Sequence, residues 1–401
     1  MHSAPSISKK LTVNMLENPH VMILAGETSG DAHAAEMIDQ IWQLNPDIRI
    51  SGMGSREMKK AGAEVFFDSS IIAVMGLVEV LKHWGDIRRA MKIVERQLEQ
   101  TRPDLLVLVD YPEFNLKMAR HARELGIKVL FYISPQIWAW RPKRISKIGR
   151  LVDHMAVIFK FEKAYYERAS IPVSFVGHPL VDKVATTQSK DEVRQHLGLE
   201  RNIPVIGLFP GSRNSEIDRL LPLMLETAGQ MTRTNPRLAF VLPVAAALDF
   251  EAIKRQCAQS NTNILVTRDD IYNIITCCDS IVSCSGTVTL EIALLGVPMC
   301  IVYKMSSLSY HILRHLIKIP HVGLVNIVAG KSVVREFLQT AASAENVSAE
   351  MFRIINDQTY REGIKSDLLI VRENLGEGDG SGKMARLVLS MLASARSVSQ
   401  Q

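Results

Sequence analysis

Val205-Ile206-Gly207-Leu208-Phe209-Pro210-Gly211-Ser212-Arg213-Asn214-Ser215-Glu216-Ile217 decides the fold. An apolar strand runs into Pro-Gly-Ser-Arg, and a helix opens at Asn214 or Ser215. Such a junction gathers free backbone N–H groups, the positive end of a helix and an arginine in one place, which suits an anion and above all a diphosphate. A second junction follows at Ser283-Cys284-Ser285-Gly286-Thr287-Val288-Thr289-Leu290-Glu291. There a strand meets a small-residue turn, and the next helix carries a carboxylate in its second turn. Two junctions in one half of an α/β chain point to a nucleotide held across strand ends.

The pattern extends in both directions. In the first half, strands are predicted at His20–Ala25, Ile48–Gly52, Leu105–Asp110, Val129–Ile133, His154–Ile158 and Val173–Val176. Helical periodicity fills the gaps at Asp31–Asn45, Glu79–Gln100, Asn115–Leu125 and Phe161–Ala169. Strands alternating with helices imply parallel pairing, and near-continuous apolar strands imply a sheet buried on both faces. Asp182–Arg201 reads as a linker with one short helix. The pattern then restarts at Pro204–Phe209, Ala239–Leu242, Asn263–Val266, Ser280–Ser283 and Met299–Tyr303, with a run of helices from Val333 onward.

The fold class is therefore α/β, with two Rossmann-like domains expected to face each other across a cleft. The expected divisions are a flexible tail over 1–19, a first domain over 20–182, a second over 183–375, and a linker with a C-terminal helix packing back on the body over 376–401. The run Gly376-Glu377-Gly378-Asp379-Gly380-Ser381-Gly382-Lys383 resembles a phosphate loop. It has Glu377 and Met384 where the Walker spacing needs Gly and Ser or Thr, so it reads as a flexible linker.

Composition narrows the function. A formal net charge of +5, from 47 basic and 42 acidic residues, suits an acidic small molecule or an anionic membrane surface and falls short of a nucleic-acid binder. The 5 cysteines, all in the second half, read as free thiols in a reducing compartment, and no second Cys/His pair gives zinc spacing. No apolar run reaches transmembrane length, and residues 1–19 lack the apolar centre of a signal peptide. A cytoplasmic protein, resting on a membrane in one reading, is expected.

Individual residues carry alternatives. Asp110 ends an apolar strand, where α/β folds bind ligands; it reads equally as a general base or as the cap of the helix that follows. Gly26-Glu27-Thr28-Ser29-Gly30-Asp31 permits a tight turn, with Ser29 or Asp31 as a helix cap; it lacks the dinucleotide pattern, so a nicotinamide cofactor is disfavoured. Ser212 and Arg213 favour phosphate, because a guanidinium fork matches phosphate oxygens. Glu291 suits two ribose hydroxyls or a helix surface, and Asn326, in a turn-like run, reads equally as a contact to the same nucleotide or as a residue with no part in binding. His311 and His315 sit four residues apart without the glutamate of a metalloprotease, so a basic amphipathic helix is expected and no metal. Ile71–Trp84 is apolar and followed by Arg88, Arg89 and Lys92, which suits either a buried helix or an apolar lip for acyl chains or a bilayer.

Seven segments together resemble the lipid-A-disaccharide synthase family: Gly26–Asp31, Ala73–Val80, Asp110–Asn115, Ser134-Pro135-Gln136-Ile137-Trp138-Ala139-Trp140-Arg141, Gly177-His178, Pro210–Arg213 and Ser285–Thr287. The likeness runs from about residue 20 to the final helix. It implies the B-type glycosyltransferase architecture, no cofactor, and inverting transfer from UDP-2,3-diacylglucosamine to 2,3-diacylglucosamine 1-phosphate, giving a β-1,6-linked disaccharide and UDP. It makes Asp110 and Arg213 the expected catalytic pair, and Ser212, Ser285, Gly286, Thr287, Glu291 and Asn326 the UDP pocket. Ser29, Met75, Glu79, Arg141 and His178 are the candidates for acceptor or acyl binding, with Arg141, Lys143 and Arg144 open for the acceptor phosphate. The family also implies a place on the inner face of the cytoplasmic membrane, with no nucleic acid as partner and an oligomer left open. A UDP-sugar epimerase shares the two-domain plan and is the nearest alternative; a non-catalytic nucleotide-gated membrane protein is another.

Overall fold

The computed structural model describes residues 18–73, 84–136, 144–260, 262–305 and 320–399, with side chains to Ser394. Met75, Glu79, Arg141, Lys143, the pair His311 and His315, and most of the expected lip lie outside the described residues. The chain forms two units. One runs to Ile158, takes in Glu162–Val176 and ends with Asp379–Gln401; the other is Phe159–Phe161 with Gly177–Gly378. The main passage between them falls at Val176–Gly177, ahead of the break read after Asp182.

The first unit holds a parallel seven-stranded sheet. Its strands are β1 (His20–Ala25), β2 (Arg49–Gly54), β3 (Glu64–Asp68), β4 (Leu105–Val109), β5 (Lys128–Tyr132), β6 (His154–Val157) and β7 (Val173–Phe175), in the order β3-β2-β1-β4-β5-β6-β7. The wholly buried runs His-Val-Met-Ile-Leu-Ala and Leu-Leu-Val-Leu-Val make β1 and β4 central, because such strands need cover on both faces. They pair with Ala25 beside Val109. The strand order reverses between them, so the loops after both open on the same crevice.

Helix α1 (Thr28–Leu44) follows β1, and its Asp31 is buried. The Asp31 carboxylate accepts from the N–H groups of Ser55 (2.6 Å), Glu57 (2.8 Å) and Met58 (3.4 Å), and so caps α2 (Arg56–Lys60). The expected capping of α1 by Ser29 or Asp31 does not occur, since Glu27 is its N-cap and makes no side-chain cap bond. The final helix, Gly380–Ser399, packs on α1 and buries Met384, Ala385, Val388, Met391 and Leu392. It starts earlier than the sequence suggested. Asp379 provides the carbonyl for the first intrahelical bond, from Lys383 N–H at 2.9 Å, so Gly380-Ser381-Gly382 forms a helical turn in place of the expected linker.

The second unit repeats the plan with six parallel strands. These are β8 (Val205–Phe209), β9 (Ala239–Pro243), β10 (Ile264–Thr267), β11 (Ser280–Cys284), β12 (Met299–Tyr303) and β13 (Glu336–Leu338), in the order β10-β9-β8-β11-β12-β13. The reversal lies between β8 and β11, where Phe209 pairs with Ser283. The stretch expected as a linker is tied to this sheet. Its helix Lys190–His196 opens with a capping box of Ser189 and Glu192. Buried Arg194 then donates to Cys277 O (3.0 Å) and Asp279 Oδ2 (2.7 Å). All five cysteines are buried and free.

Candidate active site

Each unit presents a candidate site where its strand order reverses. In the first unit the two crossing loops are Gly26-Glu27 after β1 and Asp110-Tyr111 after β4. Asp110 and Tyr111 take consecutive left-handed conformations, with φ of 48° and 47°. Non-glycine residues adopt this region only when the surroundings hold them there. Here the Asp110 N–H donates to Tyr132 O at 2.9 Å. Buried Asn115 closes the turn from the other side, its Nδ2 donating to Asp110 O (2.6 Å) and Val109 O (3.2 Å). The Tyr111 ring lies over Gly26, where a Cβ would sit 2.2 Å from the ring's Cδ1, so only glycine permits this approach. Tyr111 also donates its hydroxyl to Ile72 O at 3.1 Å.

This geometry separates the two readings of Asp110. The N-cap of the helix Pro112–Glu124 is Tyr111, and it offers no side-chain cap bond. The Asp110 carboxylate is therefore not used as a cap. Burial raises its pKa above the usual carboxylate value, with the Tyr111 N–H and the nearby His33 drawing it partly back. Glu27 is raised too, by burial first and then by the negative charge of Asp110. Two carboxylates thus stand close enough to feel each other at the mouth of β1 and β4. Ser29 is exposed in the first turn of α1.

In the second unit the two junctions border one cavity of about 550 Å³, within the range of small-molecule sites. Gly211, Ser212, Arg213 and Glu216 line it from the β8 side; Ser285, Gly286, Thr287 and Glu291 line it from the β11 side. Arg213 is the N-cap of the helix Asn214–Thr234, and its side chain is largely exposed. Glu216, in the first turn, accepts from the N–H groups of Ser212 (2.9 Å) and Arg213 (3.2 Å) through Oε2. Glu291 sits on the short helix Val288–Leu294; burial raises its pKa, and a long 3.5 Å hydrogen bond from the Tyr272 hydroxyl offsets part of that. Arg268 also borders the cavity, fixed by a 2.6 Å bond to Leu248 O and by stacking over Phe250.

Two expected residues are placed otherwise. Asn326 is buried and does not border the cavity. Its Nδ2 donates to Val334 O (2.8 Å) and Glu336 Oε1 (2.7 Å), and its Oδ1 accepts from Val333 and Val334 N–H. That amide holds the loop before β13. His178 is also buried; its ring lies 5.1 Å from that of Phe159, and its Nδ1 accepts from Leu180 N–H at 3.2 Å. Glu216, Arg268 and Asn115 escaped the sequence reading. Only Glu216 had a legible signal, a carboxylate at the third position of a helix. Among the described residues, no group of three or more His, Cys, Asp or Glu is placed to hold a metal.

Two parallel-sheet units of this strand order, each with a crevice at its reversal, make up the B-type glycosyltransferase architecture. Solved structures share it over nearly the whole chain. The UDP-GlcNAc 2-epimerase of Neisseria meningitidis, bound to UDP-GlcNAc, superposes with a TM-score of 0.58 at 14% identity, over 94% of this chain and 100% of that one. Acinetobacter baumannii MurG gives 0.58 at 15% identity, over 93% and 99%. A sequence model of the lipid-A-disaccharide synthetase family matches residues 21–384. The lipid-A-disaccharide synthase of Geobacter sulfurreducens is 48% identical over 380 residues, 94% of this chain and 99% of that protein. The chain belongs to the lipid-A-disaccharide synthase family, and is an enzyme, a glycosyltransferase of lipid A synthesis.

Proposed function

We propose that the second unit's cavity holds the UDP part of UDP-2,3-diacylglucosamine and that Asp110 is the base for attack by 2,3-diacylglucosamine 1-phosphate. The observation that carries this reading is the convergence of both strand–helix junctions on one cavity. The turn Gly211-Ser212-Arg213 offers backbone donors and a guanidinium to the diphosphate. Ser285, Gly286 and Thr287 border the opposite wall, and Glu291 accepts from the ribose hydroxyls. As the bond from C1 to the diphosphate oxygen breaks, negative charge grows on the leaving UDP, where Arg213 and the helix start stabilise it. The acceptor's 6-hydroxyl oxygen forms the new bond to C1 from the opposite face, and its proton passes to Asp110. The sugar passes through an oxocarbenium-like state and emerges β-linked. Burial makes Asp110 a stronger base than a hydrated aspartate, and positioning supplies much of the remaining rate.

Membership of this family separates the reading from the epimerase alternative, whose likeness is one of fold. The test is transfer itself. With labelled UDP-2,3-diacylglucosamine and 2,3-diacylglucosamine 1-phosphate, the protein yields disaccharide and UDP one to one, with the β configuration by NMR. Untouched substrates, or interconversion of UDP-N-acetylglucosamine instead, would contradict it.

The same reading places the enzyme peripherally on an anionic membrane, the cytoplasmic leaflet in the cell, where both acylated substrates reside. Ile71 (49% exposed) and Trp84 (43%) flank the apolar segment, and exposed Arg88, Arg89 and Lys92 follow. Among the described residues no helix is long and apolar enough to cross a membrane. Vesicles rich in anionic lipid should carry the protein upward in a gradient at low salt and release it at high salt. Failure to float at either salt would remove the membrane from the account. Ser29 is the described candidate for acceptor binding that remains exposed.

A further inference from the structure

The anion-binding turn after β8 is already filled by a side chain of the same chain. One oxygen of Glu216 accepts from Ser212 N–H at 2.9 Å and Arg213 N–H at 3.2 Å, and the other lies 3.6 Å from the Arg213 guanidinium. The carboxylate is folded tightly over the turn. Gly211 has a φ of +121°, and a Cβ there would lie 2.2 Å from Glu216 Oε2. Glu216 thus engages the same donors that a diphosphate needs, with an anion of its own.

We propose that Glu216 is a place-holder for the donor's diphosphate: its carboxylate keeps the turn's donors converged in the empty enzyme and withdraws when the nucleotide enters. The inference rests on the reading of this cavity as the UDP site. Two anions at the same N–H groups repel, so nucleotide and carboxylate compete for the turn. Withdrawal is feasible, because the Glu216 side chain is 27% exposed and a carboxylate turned outward regains water. Exposed Arg219 stands one turn further along the same helix, at a spacing that lets it receive the displaced charge. The device has two consequences. The turn is arranged before the donor arrives, which lowers the ordering cost of binding. It also holds down the affinity for UDP, so the product leaves.

Glu216→Gln keeps the shape and removes the charge. It should tighten UDP by about tenfold, equivalent to roughly 1.4 kcal/mol, while uridine, which has no phosphate, binds as to the wild type. Inorganic pyrophosphate should gain in parallel with UDP. With acylated substrates, kcat should fall more than kcat/KM as UDP release slows. A folded Glu216→Gln with unchanged or weaker UDP affinity overturns the proposal. If that variant does not fold, Glu216→Asp, which retracts the carboxylate by one methylene, answers the same question with the same two outcomes. Arg213→Ala, titrated alongside, separates the two layers. Weakened UDP there without tightening at Glu216 rejects the place-holder alone; unchanged UDP there rejects the cavity as the diphosphate site.

Discussion

Asp110 stands on a strained, left-handed turn at the end of β4, with Tyr111 in the N-cap position after it. A carboxylate ending an apolar strand was legible as facing a crevice. Whether it caps the next helix was not, because that turns on two consecutive left-handed residues that no local pattern announces. Tyr111 is the cap instead, leaving the Asp110 carboxylate for other work. Its environment sets a pH dependence. Burial raises the pKa, so the ionised base is depleted below a value above the ordinary ~3.9. The profile of kcat/KM should therefore rise with pH along an acid limb centred above the usual carboxylate range. A limb centred at or below that range would contradict the account. Stability runs the other way. A raised folded pKa means that Asp110 and Glu27 add stability in acid, below their unfolded values, and lose it as pH climbs through their folded ones.

At the scale of elements, the central strands were legible, as were the edge strands β7 and β10, but the edge strands β3 and β13 were not. β1, β4, β8 and β11 are mostly apolar and buried throughout. β3 and β13 were missed. Each lies at a sheet edge, only partly buried, and β13 has three residues. Edge strands need less apolar text, so periodicity fades there. Asp31 makes a similar point, since it caps a helix distant in sequence and not its own. Asp31→Ala leaves three N–H groups at the start of α2 without their acceptor. It should cost about 1–3 kcal/mol and lower the melting temperature, while UDP affinity stays at the wild-type value. An unchanged melting temperature would remove the cap from the stability of the first unit.

At the scale of the whole molecule, each unit builds its candidate site at the same topological place, and the chemistry differs only in what the loops carry. In the proposed function, small residues, backbone donors and arginine in the second unit hold a nucleotide. In the same proposal, a strained turn and a partly buried acid in the first take a proton. Spacing and composition pointed to the nucleotide and the anion that the proposed function uses. The acyl sugars came from a likeness carried by whole segments, because a lipid substrate is recognised by surfaces that no short motif spells out. His178 sat in a family-like segment and Asn326 was assigned to the nucleotide by the same likeness, yet the structure turns both side chains to internal contacts.

The most direct measurement is a paired assay of Asp110→Asn: turnover with both acylated substrates, and UDP affinity by calorimetry on the same preparation. The account predicts a fall in turnover of roughly 10²–10⁴-fold, the usual loss with a general base, and UDP binding within about twofold of wild type. Near-normal turnover, or loss of UDP binding together with activity, would contradict it.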